Sequence, residues 1–236
     1  MKQVDQGIVL SKTNYSESSL VLKVLTKSHG LQSFLFQGAK KKKGTIVLPM
    51  QPVEFTYYKR ADSQLGKISE WNTLFPISNL SLDPIKSCIC FFMAEVISNI
   101  VHEDQPNEHL TTHLLGELSW LNETDELSSY PLWFLAECIK SSGISPENDT
   151  ETIPQVFDFK RGVFTNSEPD HPFYHKSAGI EWCSAALDLD KNTFLALTIS
   201  KPERLLAIDA FLAYLSYQIA GWRSIKSLEV IRTVMS

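Results

Sequence analysis

The spacing of apolar residues changes near residue 80, and this change favours a fold in which strands come first and helices follow. Val53, Phe55 and Tyr57 alternate with other residues, as in a strand with one buried face. From Ile85 to Ile100 the apolar residues recur every three or four positions, which is the period of a helix. The pattern predicts an α+β chain of 236 residues with two successive domains, 1–80 and 81–236.

Five short strands are expected before residue 80, and their number indicates the architecture. A turn separates the second strand from the third, where Gly30 accepts a positive φ without steric cost. Five strands in so short a segment are too few for a two-sheet sandwich but suit a closed barrel of the OB type. The expected strands cover residues 6–12, 18–26, 31–37, 53–58 and 66–75.

The second domain is expected to be mainly α-helical. Asp83 precedes Pro84, which is the arrangement of a capping acid before a proline at the first helical position. Between residues 143 and 178 the helical period fails, and this inserted segment contains a candidate hairpin over residues 155–165. Further helices are expected over residues 107–122, 129–142, 200–220 and 222–234.

Composition excludes several classes of protein. With 43% hydrophobic and 21% charged residues the chain is ordinary globular protein. The apolar run over residues 88–94 ends at Glu95, far short of the roughly 18 residues of a membrane span, and no apolar leader is evident. We therefore expect a cytoplasmic protein without membrane contact. The four cysteines, Cys88, Cys90, Cys138 and Cys183, form no CxxC pair and are expected to be free thiols.

Charge is distributed unevenly along the chain. Residues 1–80 contain 11 Lys and Arg against 5 Asp and Glu, a balance of +6, whereas residues 81–236 contain 11 against 22, a balance of −11. Such asymmetry suggests that the first domain meets a polyanion. Chance clustering of surface charge is the alternative.

A lysine run bounded by Gly38 and Gly44 is the strongest candidate for contact with nucleic acid. Lysine is a flexible point charge that follows irregular phosphates, and each phosphate it neutralises releases counterions. A solvated loop that only keeps a barrel soluble is the alternative. The predicted DNA-binding residues are Lys12, Lys40, Lys41, Lys42, Lys43, Lys59 and Arg60. Stacking of bases would need an outward-facing Phe34, Phe36, Tyr57 or Tyr58, although each of these also suits a core.

The remaining reactive residues do not form a convincing catalytic or metal site. His171 and His175 have the i, i+4 spacing of two ligands on one helix face, but Pro172 between them breaks such a helix. Neither a nucleophile elbow nor a phosphate-binding loop is present. We expect a protein that is not an enzyme and has no cofactor and no metal.

Four N-terminal pieces, in this order and spacing, resemble the RecO family of bacterial recombination mediator proteins. They are residues 7–20, Leu25-Thr26 followed by His29-Gly30, residues 37–41, and residues 48–52. Residues 214–228 are similar to the family's final helical region. The resemblance implies an OB barrel followed by a helical domain, binding to single- and double-stranded DNA, and annealing of complementary strands. It also implies that the protein, together with RecR, loads RecA onto DNA covered by single-strand binding protein, whose acidic C-terminal tail is contacted, and that it associates with the nucleoid.

The chain departs from the family pattern where many members carry four zinc-binding cysteines in two CxxC pairs. Here the corresponding hairpin has no cysteine, so we expect packing of Phe157, Phe159, Val163 and Phe164 to supply the order that zinc supplies elsewhere. The acidic second domain would repel an acidic tail, so a local basic pocket is needed. Its candidates are Arg223, Lys226 and Arg232.

A second function fits the same sequence. The acidic pI of 5.7 is compatible with a protein–protein adaptor whose barrel binds a peptide or an acidic partner and never touches nucleic acid. Salt-sensitive binding to single-stranded DNA separates the two hypotheses.

Overall fold

The fold comes from a computed structural model that describes residues 2–40, 47–60, 63–103 and 105–234. It divides into two compact units, residues 1–125 and 126–236. The apolar period changes at residue 80, but three helices beyond that point belong to the first unit, because a change of secondary structure need not mark the edge of a core. In the described part of the chain, no helix is both long and apolar enough to cross a membrane.

Residues 2–73 contain the closed five-stranded barrel that the sequence predicts, with neighbours in the order β1-β2-β3-β5-β4. β1 is long enough to pair with β4 through its first half and with β2 through its second half, with an irregularity between Val9 and Ser11. β3 and β5 pair in parallel and complete the ring. The strands are β1 (Lys2–Asn14), β2 (Leu20–Thr26), β3 (Gly30–Phe36), β4 (Pro52–Tyr58) and β5 (Leu65–Thr73).

Aromatic rings fill the barrel. Phe34 lies with its ring centroid 4.9 Å from that of Phe55 and 5.0 Å from that of Tyr57, both in edge-to-face geometry. All three side chains are buried. Their burial follows from the alternation of the strands, which directs every second side chain to the interior.

Three helices complete the first unit: α1 (Ser78–Leu82), α2 (Pro84–Ile100) and α3 (Glu108–Glu123). The predicted cap is confirmed, since the Asp83 carboxylate accepts hydrogen bonds from the backbone N–H groups of Ile85 and Lys86 at 2.7 and 3.1 Å. α2 packs against β1, and α3 packs against β1 and β2. At Gly30 (φ 68°) a Cβ would lie 2.1 Å from the carbonyl oxygen of Gln105, so the chain before α3 passes too close for a side chain.

The second unit contains five helices and a small four-stranded sheet within its described residues. The helices are α4 (Tyr130–Ser141), α5 (Ile180–Asp188), α6 (Lys191–Leu195), α7 (Lys201–Gln218) and α8 (Leu228–Val234). The sheet has the order β6-β8-β7-β9 and is built from β6 (Glu147–Asn148), β7 (Val156–Asp158), β8 (Val163–Thr165) and β9 (Tyr174–Lys176).

One expectation for the second unit was wrong, and two of its helices were not predicted. The last helix begins at Leu228 rather than at residue 222, because a few apolar residues at a spacing of three do not distinguish a helix from a turn, and Gly221 adopts φ 75°. α5 and α6 were not expected at all. The Asp190 carboxylate caps α6 by accepting hydrogen bonds from the backbone N–H groups of Asn192 and Thr193. An acid at this position is a typical helix cap, so it could have predicted the start of α6 from the sequence.

The predicted hairpin is confirmed and has an aromatic core. β7 and β8 pair in antiparallel fashion around Gly162, whose φ is 65°. Phe157 is fully buried, with its ring centroid 4.5 Å from those of Phe164 and Tyr214 and 5.0 Å from that of Phe159. Phe157, Phe159, Val163 and Phe164, the side chains expected to order this hairpin, are all buried. The hairpin residues do not fit a zinc ion, because they include no cysteine, and no group of three metal-ligating side chains occurs among the described residues.

Candidate nucleic-acid interface

The predicted DNA-binding residues lie at opposite ends of the barrel. Lys2 pairs with the last residue of β4, whereas Lys12 lies ten residues further along β1, opposite β2. Ten residues correspond to roughly 30 Å of strand. Lys40 follows β3 at the Lys12 end, and Lys59 and Arg60 follow β4 at the other. Lys41, Lys42 and Lys43 lie outside the described residues.

The first group, which we call the Lys40 end, consists of Lys12, Tyr15 and Lys40. The Lys40 backbone N–H donates to the carbonyl oxygen of Ser18 at 3.2 Å, and its Nζ donates to that of Ser16 at 3.1 Å. The Lys12 Nζ donates to the carbonyl oxygen of Val47 at 2.6 Å. These bonds position the ammonium groups, and each retains protons for a further acceptor.

Tyr15 was missed by the sequence analysis, which considered only aromatic residues on strands. It lies in the loop between β1 and β2, its side chain is 65% exposed, and its backbone N–H donates to the carbonyl oxygen of Ser19 at 3.1 Å. The same loop contains one acid, Glu17. An aromatic residue in a short polar loop next to lysine-bearing segments was the signal that could have identified it.

The second group, the Arg60 end, consists of Tyr58, Lys59 and Arg60. The Lys59 Nζ donates to Oε1 of Gln32, and Arg60 is exposed. Tyr58 is 48% exposed and lies in register with Lys2 on β1 and Lys67 on β5. It is therefore an aromatic side chain with a lysine on each neighbouring strand.

Of the four aromatic residues considered for base stacking, the structure leaves only Tyr58 on the surface. Phe34, Phe36 and Tyr57 are at most 3% exposed and belong to the barrel core. The sequence already favoured a core position for each of them. The pairing register of the strands in the closed barrel directs these three side chains to the interior.

The two ends border the face that OB barrels commonly use. In such barrels, strands 2 and 3 and the loops after strands 1 and 4 bind oligonucleotides. Here the Lys40 end adjoins the loop between β1 and β2, and Arg60 begins the connection from β4 to β5. Lys23 lies opposite Ser33 on the β2–β3 face. Lys40 and Arg60 thus lie beside the two loops that contact oligonucleotides in other OB barrels.

Several other lysines of the barrel already face carboxylates. The Nζ–Oε1 distances are 2.7 Å for Lys2 and Glu70, 3.1 Å for Lys23 and Glu103, and 3.3 Å for Lys27 and Glu108. These exposed pairs add little stability, but they reduce the positive charge that a ligand meets. Within the described residues, the four positions Lys12, Lys40, Lys59 and Arg60 form no ion pair.

Most of the net negative charge after residue 80 lies in the segment that directly follows the barrel in the sequence. Residues 81–125 contain one Lys and eight Asp and Glu, a balance of −7, whereas residues 126–236 contain ten Lys and Arg against fourteen, a balance of −4. The first compact unit therefore combines a basic barrel with an acidic helical segment. A polyanion is attracted to the barrel surface away from those helices.

Among the basic residues near the C-terminus, Arg232 differs from the others. Its guanidinium donates to Asp209 Oδ1 at 2.6 Å and to Glu229 Oε1 at 2.7 Å. The hydrogen bond to Asp209 is the main reason why the pKa of Arg232 is raised above its usual range. Arg223 and Lys226 are exposed in the segment before α8. Two carboxylates thus share the positive charge of Arg232.

His171 and His175, the two residues with the spacing of metal ligands, are partly buried, and the thiol of Cys183 is also enclosed. Burial lowers the pKa of His175, which favours its neutral form, and His171 Nε2 lies 3.5 Å from Asp158 Oδ1. Cys183 is fully buried, its thiol donates to the carbonyl oxygen of Ala207 at 3.4 Å, and burial raises its pKa well above the usual range. A buried neutral thiol is a poor nucleophile.

Comparison with known proteins agrees with this arrangement. The model of the N-terminal domain of recombination protein O matches residues 1–77, and that of its C-terminal domain matches residues 81–229. The chain is 29% identical to DNA repair protein RecO of Flavobacterium psychrophilum over 98% of both chains, and 27% identical to that of Phocaeicola vulgatus over the full length of both. A RecO protein of Bacillus pumilus is 26% identical over 61% of this chain and 57% of its own. With both family models matched in order across the barrel and the helices, the chain belongs to the RecO family of DNA repair proteins.

Proposed function

We propose that this protein is a non-enzymatic DNA repair and recombination mediator. It binds single- and double-stranded DNA through the barrel and anneals complementary strands. Together with RecR, it loads RecA onto single strands covered by single-strand binding protein. Its place of action is the bacterial cytoplasm, at the nucleoid. Family membership supports the role in repair, and the barrel supports the contact with DNA.

The observation that carries the proposal is the Lys40 end. It combines two ammonium groups that have no carboxylate partner among the described residues with an exposed tyrosine on a hydrogen-bonded loop. Ammonium groups bind phosphates of any sequence, and an aromatic ring stacks on any base. Together these features favour binding that depends little on sequence, which is what a general mediator requires.

Annealing follows from the same chemistry without a covalent step. Two complementary strands repel each other through their phosphates, and lysines that neutralise part of this charge reduce the repulsion. Contacts to the backbone leave the base edges free to pair. A basic surface of this kind therefore accelerates pairing while it remains unchanged itself.

For the protein partners we propose a contact between the acidic tail of single-strand binding protein and the second unit. The proposed contacts are Arg223, Lys226 and Arg232, of which Arg223 and Lys226 are exposed.

The test uses the full-length protein, a labelled single strand and its complement. We expect saturable binding by fluorescence anisotropy that weakens steeply between low and moderate salt, and faster duplex formation in the presence of the protein. If neither occurs while a protein partner is retained in a pull-down, the chain acts instead as a protein–protein adaptor.

Replacing Tyr15 by alanine is expected to weaken single-strand binding, because a stacked base is lost. Such stacking contributes about 1 to 3 kcal/mol per base. This corresponds to roughly a 5- to 150-fold rise in Kd, measured by anisotropy at fixed salt. The Tyr15→Phe variant retains the ring and is expected to bind like the wild type. Equal affinity of the alanine variant and the wild type would exclude stacking on Tyr15.

A further inference from the structure

An open cleft of about 370 Å³ lies at the Arg60 end of the barrel. Gln32 and Tyr57, both buried, line it together with His29, Lys59 and Arg60. Its volume falls within the range of small-molecule sites. Three side chains that can carry positive charge thus converge on one concave surface.

Lys59 is held at this cleft by a buried amide. The Gln32 side chain is 6% exposed, and its Nε2 donates at 3.1 Å to the carbonyl oxygens of both His29 and Leu31. These two bonds fix the orientation of the amide so that its Oε1 accepts from the Lys59 ammonium. Because the partner is a neutral amide, this contact leaves the positive charge of Lys59 uncompensated.

The His29 ring lies beside the carboxylate of Asp5. The buried Asp5 carboxylate accepts from the Gln6 backbone N–H at 2.8 Å and from Ser28 Oγ at 3.1 Å, and its Oδ2 lies 3.3 Å from His29 Nδ1. The Asp5 carboxylate therefore already has hydrogen-bond partners within the protein. The contact through Nδ1 leaves the second ring nitrogen of His29 available to a ligand.

We infer that this cleft binds a phosphate group of a nucleic-acid strand. The inference rests on the proposed DNA binding and adds the side chains that hold one phosphate. Lysine, arginine and histidine donors from two segments of the chain line this cleft, and a phosphate has several acceptor oxygens for them. Exposed Tyr58, the residue before Lys59, offers a ring on which a neighbouring base stacks. A nucleic-acid strand uses both features, which is why we favour it over an acidic peptide.

The test compares the full-length wild type with a Lys59→Gln/Arg60→Gln double variant, which removes two charges from the cleft. The matched control is Lys140→Gln/Lys176→Gln, because both of these lysines face a carboxylate and lie outside the barrel. For a labelled oligothymidylate at low salt, we expect the cleft variant to bind at least about tenfold more weakly, with a slope of log K against log salt lower by about 1. The control variant is expected to change the affinity less than about threefold.

Six-nucleotide strands with and without a 5′-phosphate identify the source of the phosphate. Tighter binding of the phosphorylated strand by the wild type, lost in the cleft variant, assigns the cleft to a strand end. Equal weakening of both strands by the variant assigns it to an internal phosphodiester.

Other outcomes overturn the inference. A cleft variant that binds DNA like the wild type removes the phosphate site and leaves the proposed DNA binding intact. A variant that keeps its DNA affinity but loses binding to a polyglutamate peptide shows a site for acidic peptides instead. A wild type that binds no DNA overturns both the inference and the proposed function. Circular dichroism and the thermal midpoint establish that each variant is folded.

Discussion

Replacing Lys40, Lys41, Lys42 and Lys43 together by alanine is expected to weaken DNA binding about 100- to 1000-fold at 0.1 M salt. Each phosphate contact contributes about 0.7 to the slope of log K against log salt on single strands and about 0.9 on duplex DNA. Loss of four contacts therefore lowers the slope by about 3 on single strands and by nearly 4 on duplex. Anisotropy titrations over a salt series measure both quantities.

The expectation rests on how a run of lysines contacts phosphates. Lys40 is positioned by the loop between β1 and β2, and Gly38 before it adopts φ 69°. Backbone contacts carry no sequence information, so the loss should be similar for every DNA sequence. An unchanged salt slope would show that the lysine run does not contact DNA.

A matched control distinguishes direct contact of the lysine run with DNA from the effect of the protein's net charge. Four lysines of the second unit replaced by alanine remove the same total charge, and we expect this variant to retain most of the slope. The control positions are Lys140, Lys160, Lys176 and Lys201. An equal loss in both variants would mean that net charge, rather than this lysine run, governs binding.

Replacing Phe157 by alanine is expected to lower the free energy of unfolding by about 3 to 5 kcal/mol, the usual cost of removing a buried phenylalanine ring. The ring is fully buried among Phe159, Phe164 and Tyr214, so its loss leaves a cavity that these side chains fill only in part. Typical domains are stable by only about 5 to 15 kcal/mol, so the change is a large share of the total. Urea unfolding, followed by circular dichroism, measures it.

Two further variants test whether the lower free energy of unfolding of Phe157→Ala comes from removing a buried ring. Phe173 is 46% exposed, and its replacement by alanine is expected to cost much less than the replacement of Phe157. Phe157→Leu keeps most of the apolar volume and is expected to fall between the wild type and the alanine variant. A loss below about 1 kcal/mol for Phe157→Ala would contradict the view that aromatic packing orders this hairpin.

Much of the local structure was predictable from neighbouring residues. The barrel strands were recognisable because a period of two shows directly in sequence, and α2 because Asp83-Pro84 precedes an apolar stripe. Short elements were harder. α5, α6 and the start of α8 depend on packing, since segments of five to nine residues contain too few turns to show a period.

The candidate interface was predictable in composition but not in arrangement. The sequence indicated a basic barrel with lysines before and after its strands, and it placed Lys12, Lys40, Lys59 and Arg60 in one set. The direction of β1 decided that these residues form two groups roughly 30 Å of strand apart. Ion pairs formed on folding decided which lysines remain without a carboxylate, as Lys23 and Glu103 illustrate.

The sequence by itself determined the order of strands and helices, the basic character of the first segment and the aromatic hairpin that contains no cysteine. These properties depend on residue type and on the period of neighbours along the chain. Only the tertiary structure decided that Phe34, Phe36 and Tyr57 are internal, that Tyr15 and Tyr58 are exposed, and that Gln32 and Asp5 hold Lys59 and His29 beside one cleft. Those outcomes depend on strand register and barrel closure, which bring together residues far apart in the chain, and local periodicity contains no information about such pairings.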